Sequence, residues 1–280
     1  MNNSIYPTVS TPETNLSLSR LGWAVADAWT ITRRDLQHWR LQPGPVIVSW
    51  VFPVMIVLMF GLLFGGAINV PDGGDYFEFL MPGMFALTML FGLETTMLAV
   101  STDAARGVTD RFRSLSMSAS AVVFGRCLAD MLNSMVGLAI MIVTGLLLGW
   151  RWHDGLTNAL AAVGLLLLLR FSLLWVGIFM GLIAKGPEAV AAVQILVWPF
   201  SFLSNVFVDP TTMPSWLGVI ARWNPLSATV SATRTLFMNP GWQGSSWTSE
   251  NSLLLAIVWP ALLLAIFLPL SVRKYRRLSR

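Results

Sequence analysis

The sequence predicts an all-α integral membrane protein with six transmembrane helices, and three observations predict it. The chain is 55% hydrophobic and only 11% charged, with mean hydropathy +0.66, whereas soluble domains carry roughly 25% charged residues. Six apolar runs, over residues 46–68, 79–100, 121–150, 156–184, 189–208 and 253–272, are long enough to cross about 30 Å of hydrocarbon. The basic residues gather in alternate loops, as positive-inside topology requires.

Taken in order, residues 1–17 are polar and rich in Ser, Thr and Asn, which predicts a disordered cytoplasmic tail. They lack the apolar core of a cleavable signal peptide. From residue 18 to 40, Leu18, Leu21, Val25, Trp29, Leu36 and Trp39 keep helical spacing, with Thr32 filling one step, while Asp27, Arg33, Arg34 and Gln37 lie off that face. A helix with Trp and Leu on one side and Arg on the other suits the membrane interface; packing on the chain's own loops is the plainer alternative. Pro43 and Pro45 end that helix.

The first span contains Pro53, which a bundle tolerates when the freed carbonyl finds another donor. An acidic loop with Asp72, Asp75 and Glu78 precedes the second span. The third span is longer than a bilayer needs, which predicts tilt, and Trp150 and Trp152 mark its boundary as part of an aromatic belt. After the fourth span, Lys185-Gly186-Pro187-Glu188 is a tight turn whose Pro and Glu suit the first turn of the fifth. Between the fifth and sixth spans, Trp216, Val219, Ile220 and Trp223 form an amphipathic pattern, and residues 227–237 form a second short helical run. Together they predict an outer re-entrant helical segment. Residues 273–280 are a basic cytoplasmic tail.

Six spans put both termini on one side. With both inside, 14 of the 18 Lys and Arg face the cytoplasm, only Arg151, Arg222 and Arg234 lie outside, and Arg170 falls within a span. The positive-inside rule therefore predicts cytoplasmic termini. The net charge of +4 reflects this topology; no basic–aromatic stripe points to nucleic acid.

Residues 101–126 form the longest charged insertion, with Arg106, Arg111, Arg113 and Arg126 against Asp103 and Asp110. Within it Ala104, Val108, Phe112 and Leu115 share one face of a short helix. One reading is a charged loop that merely obeys the positive-inside rule. The other is a docking helix that offers Phe112 and Leu115 to a soluble partner.

Several chemistries are excluded. No GxxxxGK[ST] phosphate loop is present. His38 and His153 are predicted on opposite membrane faces, and the lone Cys127 and the lack of HExxH leave no metal site. No catalytic site, cofactor or metal is expected in this chain. Glu94 and Arg170 are predicted near mid-membrane, where an Arg costs roughly 2.5–3.5 kcal/mol. An ion pair between them, or a polar lining for substrate, answers that cost. Asp130 and Asn133 are candidate partners for Arg126.

The order of these features resembles a type-2 ABC transporter permease, and specifically the daunorubicin-resistance permease group of actinobacterial drug and lipid exporters. Three stretches carry the resemblance: Asp103 to Ser118, Lys185 to Ala189, and an outer signature of Pro214, Trp216, Asn224, Pro225 and Arg234. In the first, Ser116 stands where many members have proline. The resemblance implies a half-channel paired with a second permease chain, identical or homologous. It implies a separate ABC ATPase subunit that binds ATP and Mg. It makes Arg106, Val108, Arg111, Phe112, Arg113, Leu115, Lys185 and Glu188 the ATPase-coupling residues. It implies export of amphipathic drugs, antibiotics or lipids across a bacterial plasma (inner) membrane, with membrane lipids as further partners. A polysaccharide or lipo-oligosaccharide exporter permease of the same superfamily is the alternative. An ion-coupled carrier using Glu94 and a membrane anchor without transport are the readings from other classes.

Overall fold

The structure, a computed structural model, describes residues 29, 32, 33, 36, 37, 39–41, 43–65, 70, 74–105, 119–184, 187–241 and 246–278. Helices account for nearly all of them. In chain order these are α1 (Pro43–Phe64), α2 (Tyr76–Ala105), α3 (Ala119–Leu147), α4 (Gly155–Ile183), α5 (Pro187–Phe202), α6 (Ser215–Trp223), α7 (Pro225–Phe237), α8 (Trp247–Glu250) and α9 (Ser252–Leu278).

Five helices, α1, α2, α3, α4 and α9, are long and apolar enough to cross a membrane. The run expected to span at 189–208 forms the shorter α5, of 16 residues. At 1.5 Å per residue that is about 24 Å. Beyond Phe202 the chain turns, because the Asn224 amide donates to the Phe200 and Leu203 carbonyls at 2.9 and 2.7 Å and holds them away from a further helical turn. The third helix likewise stops at Leu147; Gly149 adopts φ +103°, a conformation that favours glycine and ends the helix.

The bundle is built on α2 and α4. Residues 79–87 of α2 are all buried, so this helix is enclosed on every side. It packs against α1, α3, α4, α5 and α7, while α4 packs against α9 and α7. Glycine sets the spacing between the two central helices. A Cβ at Gly177 would lie 2.8 Å from the Leu93 carbonyl oxygen, and one at Gly181 would lie 2.8 Å from that of Met97. Small residues four apart let two backbones approach this closely where water gives no help. In contrast α1 and α9 expose apolar faces, including Leu62, Leu63, Leu254 and Ile257.

Loops alternate between two ends of this bundle. The proximal end holds the end of α2, the start of α3 and the end of α9. The distal end holds the start of α2, the end of α3, and α6 to α8. Trp150 is not part of an aromatic belt at the distal end. It is 1% exposed, stands edge-on to Phe85 at 5.0 Å and Phe237 at 5.1 Å, and donates Nε1–H to Asn239 Oδ1 at 2.8 Å. A buried indole needs such an acceptor, and Asn239 supplies it. His153 Nε2 joins Glu78 Oε1 at 2.8 Å beside it.

The described N-terminal residues from Trp29 to Leu41 are helical. Thr32 is fully buried and donates to the Gly125 carbonyl at 3.0 Å, which ties this helix to the start of α3. Trp29 is 57% exposed. The Thr32 step of that face is thus pinned to the bundle, while Trp29 on the same face is exposed.

Candidate functional site: a polar relay beside an aromatic groove

The intramembrane charges follow from the helix spacing. Arg126, Asp130 and Ser134 are four apart on α3 and share one face. Thr96 faces them from α2, and Arg170 enters from α4. Arg170 is 1% exposed. Its Nε donates to Ser134 Oγ at 2.6 Å and its Nη2 donates to Thr96 Oγ1 at 2.8 Å. Thr96 in turn donates to Asp130 Oδ2 at 2.8 Å. Gly92 makes room for the guanidinium, since a Cβ there would sit 2.5 Å from Nε. Arg126 continues the relay to the proximal end, with Nε 4.0 Å from Asp130 Oδ1 and an ion pair to Asp103. Asn133, also a candidate partner of Arg126, instead accepts from Trp50 Nε1 at 3.0 Å.

The expected Glu94–Arg170 ion pair is therefore not what the structure contains. The physical reason is register. Thr96 and Gly92, on the α4-facing side of α2, meet Arg170. Glu94 turns toward α5 and lines a groove there together with Gln194. Its Oε1 is buried without a hydrogen-bond partner among the described residues.

That carboxylate lies in a groove of about 390 Å³ between α1, α2, α3 and α5. The walls are aromatic. Phe52, Phe91 and Trp198 cluster with centroid separations of 5.7, 6.1 and 5.4 Å. Thr88, Thr95, Ser49 and Asn133 add hydrogen-bonding groups. An apolar groove with a few convergent polar groups and one carboxylate is suited to an amphipathic molecule with a cationic end.

The outer signature residues have structural partners. Arg234 is 3% exposed; it donates to the Phe79, Asn205 and Val206 carbonyls at 2.9–3.2 Å and lies 4.1 Å from the Phe79 ring centroid. It pins α7 to the start of α2. Asn224 caps α7 by accepting from the Leu226 N–H at 2.8 Å, and Pro225 occupies the first turn. Trp216 is 67% exposed and Pro214 precedes α6. Of the coupling set, Glu188 is exposed in the first turn of α5. Arg106, Val108, Arg111, Phe112, Arg113, Leu115 and Lys185 lie outside the described residues.

Sequence reading missed Thr96, Ser134 and the aromatic walls. The i, i+4, i+8 spacing of Arg126, Asp130 and Ser134 was the available signal for the relay. Nothing in the sequence pairs Phe52 with Trp198, which are 146 positions apart.

Comparison with known proteins adds the family. The ABC-2 type transporter family matches over residues 26–238. The chain is 34% identical over 254 residues to the "Daunorubicin resistance ABC transporter permease protein DrrB1" of Streptomyces coeruleorubidus, covering 90% of this chain and 87% of that one. It is 21% identical over 214 residues to the "Probable doxorubicin resistance ABC transporter permease protein DrrC" of Mycobacterium tuberculosis, covering 76% and 78%. With the match spanning most of its length and its apolar bundle, this chain belongs to the ABC-2 type transporter family.

Proposed function

We propose that this chain is the permease subunit of an ATP-driven exporter that carries amphipathic drugs, antibiotics or lipids outward across a bacterial plasma membrane. Two permease chains pair, identical or homologous. A separate ABC ATPase binds ATP and Mg and docks at the proximal end. That end is cytoplasmic in this reading, since it carries Arg33, Arg40, Arg273 and Lys274. Residues 104–116 receive the motion, with Phe112 and Leu115 as anchors and Arg106, Arg111 and Arg113 around them.

The observation that carries the reading is the groove at Glu94, where a carboxylate oxygen without a partner meets an aromatic wall. In low dielectric a carboxylate attracts a cation far more strongly than in water. The aromatic faces of Phe91 and Trp198 add dispersion and cation–π attraction. Cargo with an apolar body and an amine is the class this favours. The names of the similar permeases, which refer to daunorubicin and doxorubicin resistance, support the same class.

The test is binding to the purified chain in nanodiscs. A fluorescent amine-bearing amphiphile should bind Glu94→Gln about tenfold more weakly than wild type, equivalent to about 1.4 kcal/mol. An uncharged analogue should bind both alike. Equal loss for the two ligands, or no loss for either, would contradict a charge-reading groove.

A further inference from the structure

A second pocket lies at the distal end, where the turn after α5 meets α6, α7 and α8. Its volume is about 240 Å³. That is below the ~300 Å³ at which drug-sized pockets begin, so it fits one ring or head group. About half of the lining surface is polar, contributed chiefly by Asn205, Asp209, Arg222, Ser227, Ser231 and Ser249, and Pro210 and Ala228 add apolar area.

Two observations indicate a ligand. Asn205 is 7% exposed, and its Nδ2 donates to Ser231 Oγ at 2.6 Å, yet its Oδ1 has no hydrogen-bond partner among the described residues. A buried amide oxygen left unpaired costs roughly 1–3 kcal/mol, and a ligand O–H would remove that cost. The charges also balance, with one carboxylate from Asp209 and one guanidinium from Arg222. Each uses only part of its capacity inside the chain: Asp209 Oδ1 accepts from Thr211 N–H at 2.8 Å, and Arg222 Nε donates to the Gly218 carbonyl at 3.2 Å. A balanced pair selects against an ion of either sign. Serine hydroxyls donate and accept alike, which matches a ligand rich in hydroxyls. At the same end Trp223 and Trp247 stack at 6.1 Å and are each about half exposed. They are the sequence neighbours of the lining residues Arg222 and Thr248 and stand outside the lining itself.

We infer that this distal pocket binds a neutral, polyhydroxylated group of about one sugar ring. The inference is independent of the export reading and of the groove at Glu94. The ring could arrive on a lipid or on a soluble molecule, and the same chemistry recognises both.

The test is saturation-transfer NMR on the full chain in phosphatidylcholine nanodiscs, with methyl β-glucoside as probe. Wild type should transfer saturation to the ring protons. Ser249→Phe, which fills the pocket, and Arg222→Leu, which unbalances it, should each weaken apparent affinity about tenfold, as loss of one or two hydrogen bonds implies. Trp216→Ala, outside the pocket, should match wild type, and unchanged thermal unfolding of the two pocket variants keeps the comparison valid. Displacement by glucosyl diacylglycerol would assign the ring to a lipid; binding that resists it would assign a soluble source; either supports the site. No transfer in wild type, equal transfer in Ser249→Phe, or equal displacement by anionic phosphatidylglycerol would overturn the proposal.

Discussion

Arg170 and Asp130 are joined through a single hydroxyl: the guanidinium donates to Thr96 Oγ1 at 2.8 Å, and that hydroxyl donates to Asp130 Oδ2 at 2.8 Å. Three helices meet at this relay. The buried charge is held by hydrogen bonds on two sides rather than by direct contact with a carboxylate. Such networks are worth more than their separate pairs and fail when one member is removed.

Thr96→Val should therefore destabilise the chain by about 1–3 kcal/mol, the cost of leaving buried groups unpaired. In a double-mutant cycle, Arg170→Met and Asp130→Asn should couple by about 0.5 kcal/mol or more. Arg170→Met and Glu94→Gln should be additive within about 0.5 kcal/mol. Thermal unfolding in detergent measures all three. Strong coupling of Arg170 to Glu94 instead would contradict the relay.

Gly177→Val should loosen the centre of the bundle. A Cβ at Gly177 already lies 2.8 Å from the Leu93 carbonyl, so the branched side chain must push α4 from α2. Overpacking of this kind costs about 1–3 kcal/mol. Gly164→Val, where a Cβ meets nothing within 4 Å, should be close to neutral. The same unfolding assay compares the two, and equal effects would remove the close-approach argument.

Arg234→Lys should not rescue Arg234→Ala. The guanidinium reaches three carbonyls on two segments at once, and an ammonium lacks the planar fork that makes this possible. Limited proteolysis between α5 and α7 should accelerate in both variants. Wild-type resistance in Arg234→Lys would mean that charge alone suffices there.

Much of the fold was legible in the sequence because lipid imposes long apolar runs. The helices α1, α2, α3, α4 and α9 declare themselves that way. The early end of α5 was not legible, because it depends on Asn224 reaching back 24 and 21 positions to Phe200 and Leu203. Trp150 was misread for a related reason: a tryptophan at a span's end suits a belt, and only Asn239, Phe85 and Phe237 make it core. At the candidate site the costly residues Glu94 and Arg170 were visible as isolated charges. Their partners were not, because two residues apart on α2 is about 200° of rotation, so Glu94 and Thr96 face different helices. Apolar spacing cannot tell which of them meets α4.

If a separate ATPase drives this permease through residues 104–116, as proposed, transport should depend on ATP and on that segment. Inside-out vesicles would carry the chain together with a co-expressed ABC ATPase, and accumulation of a fluorescent amine-bearing amphiphile would be followed. Wild type should accumulate the probe only with ATP and Mg, with or without an ionophore that collapses the proton gradient. The Phe112→Ala, Leu115→Ala double variant should insert normally, lose ATPase capture, since truncating an interface anchor costs about 2 kcal/mol or more, and show no ATP-dependent accumulation. Accumulation that follows the proton gradient without ATP, or full ATP-driven accumulation by the double variant, would contradict ATP-driven coupling through Phe112 and Leu115.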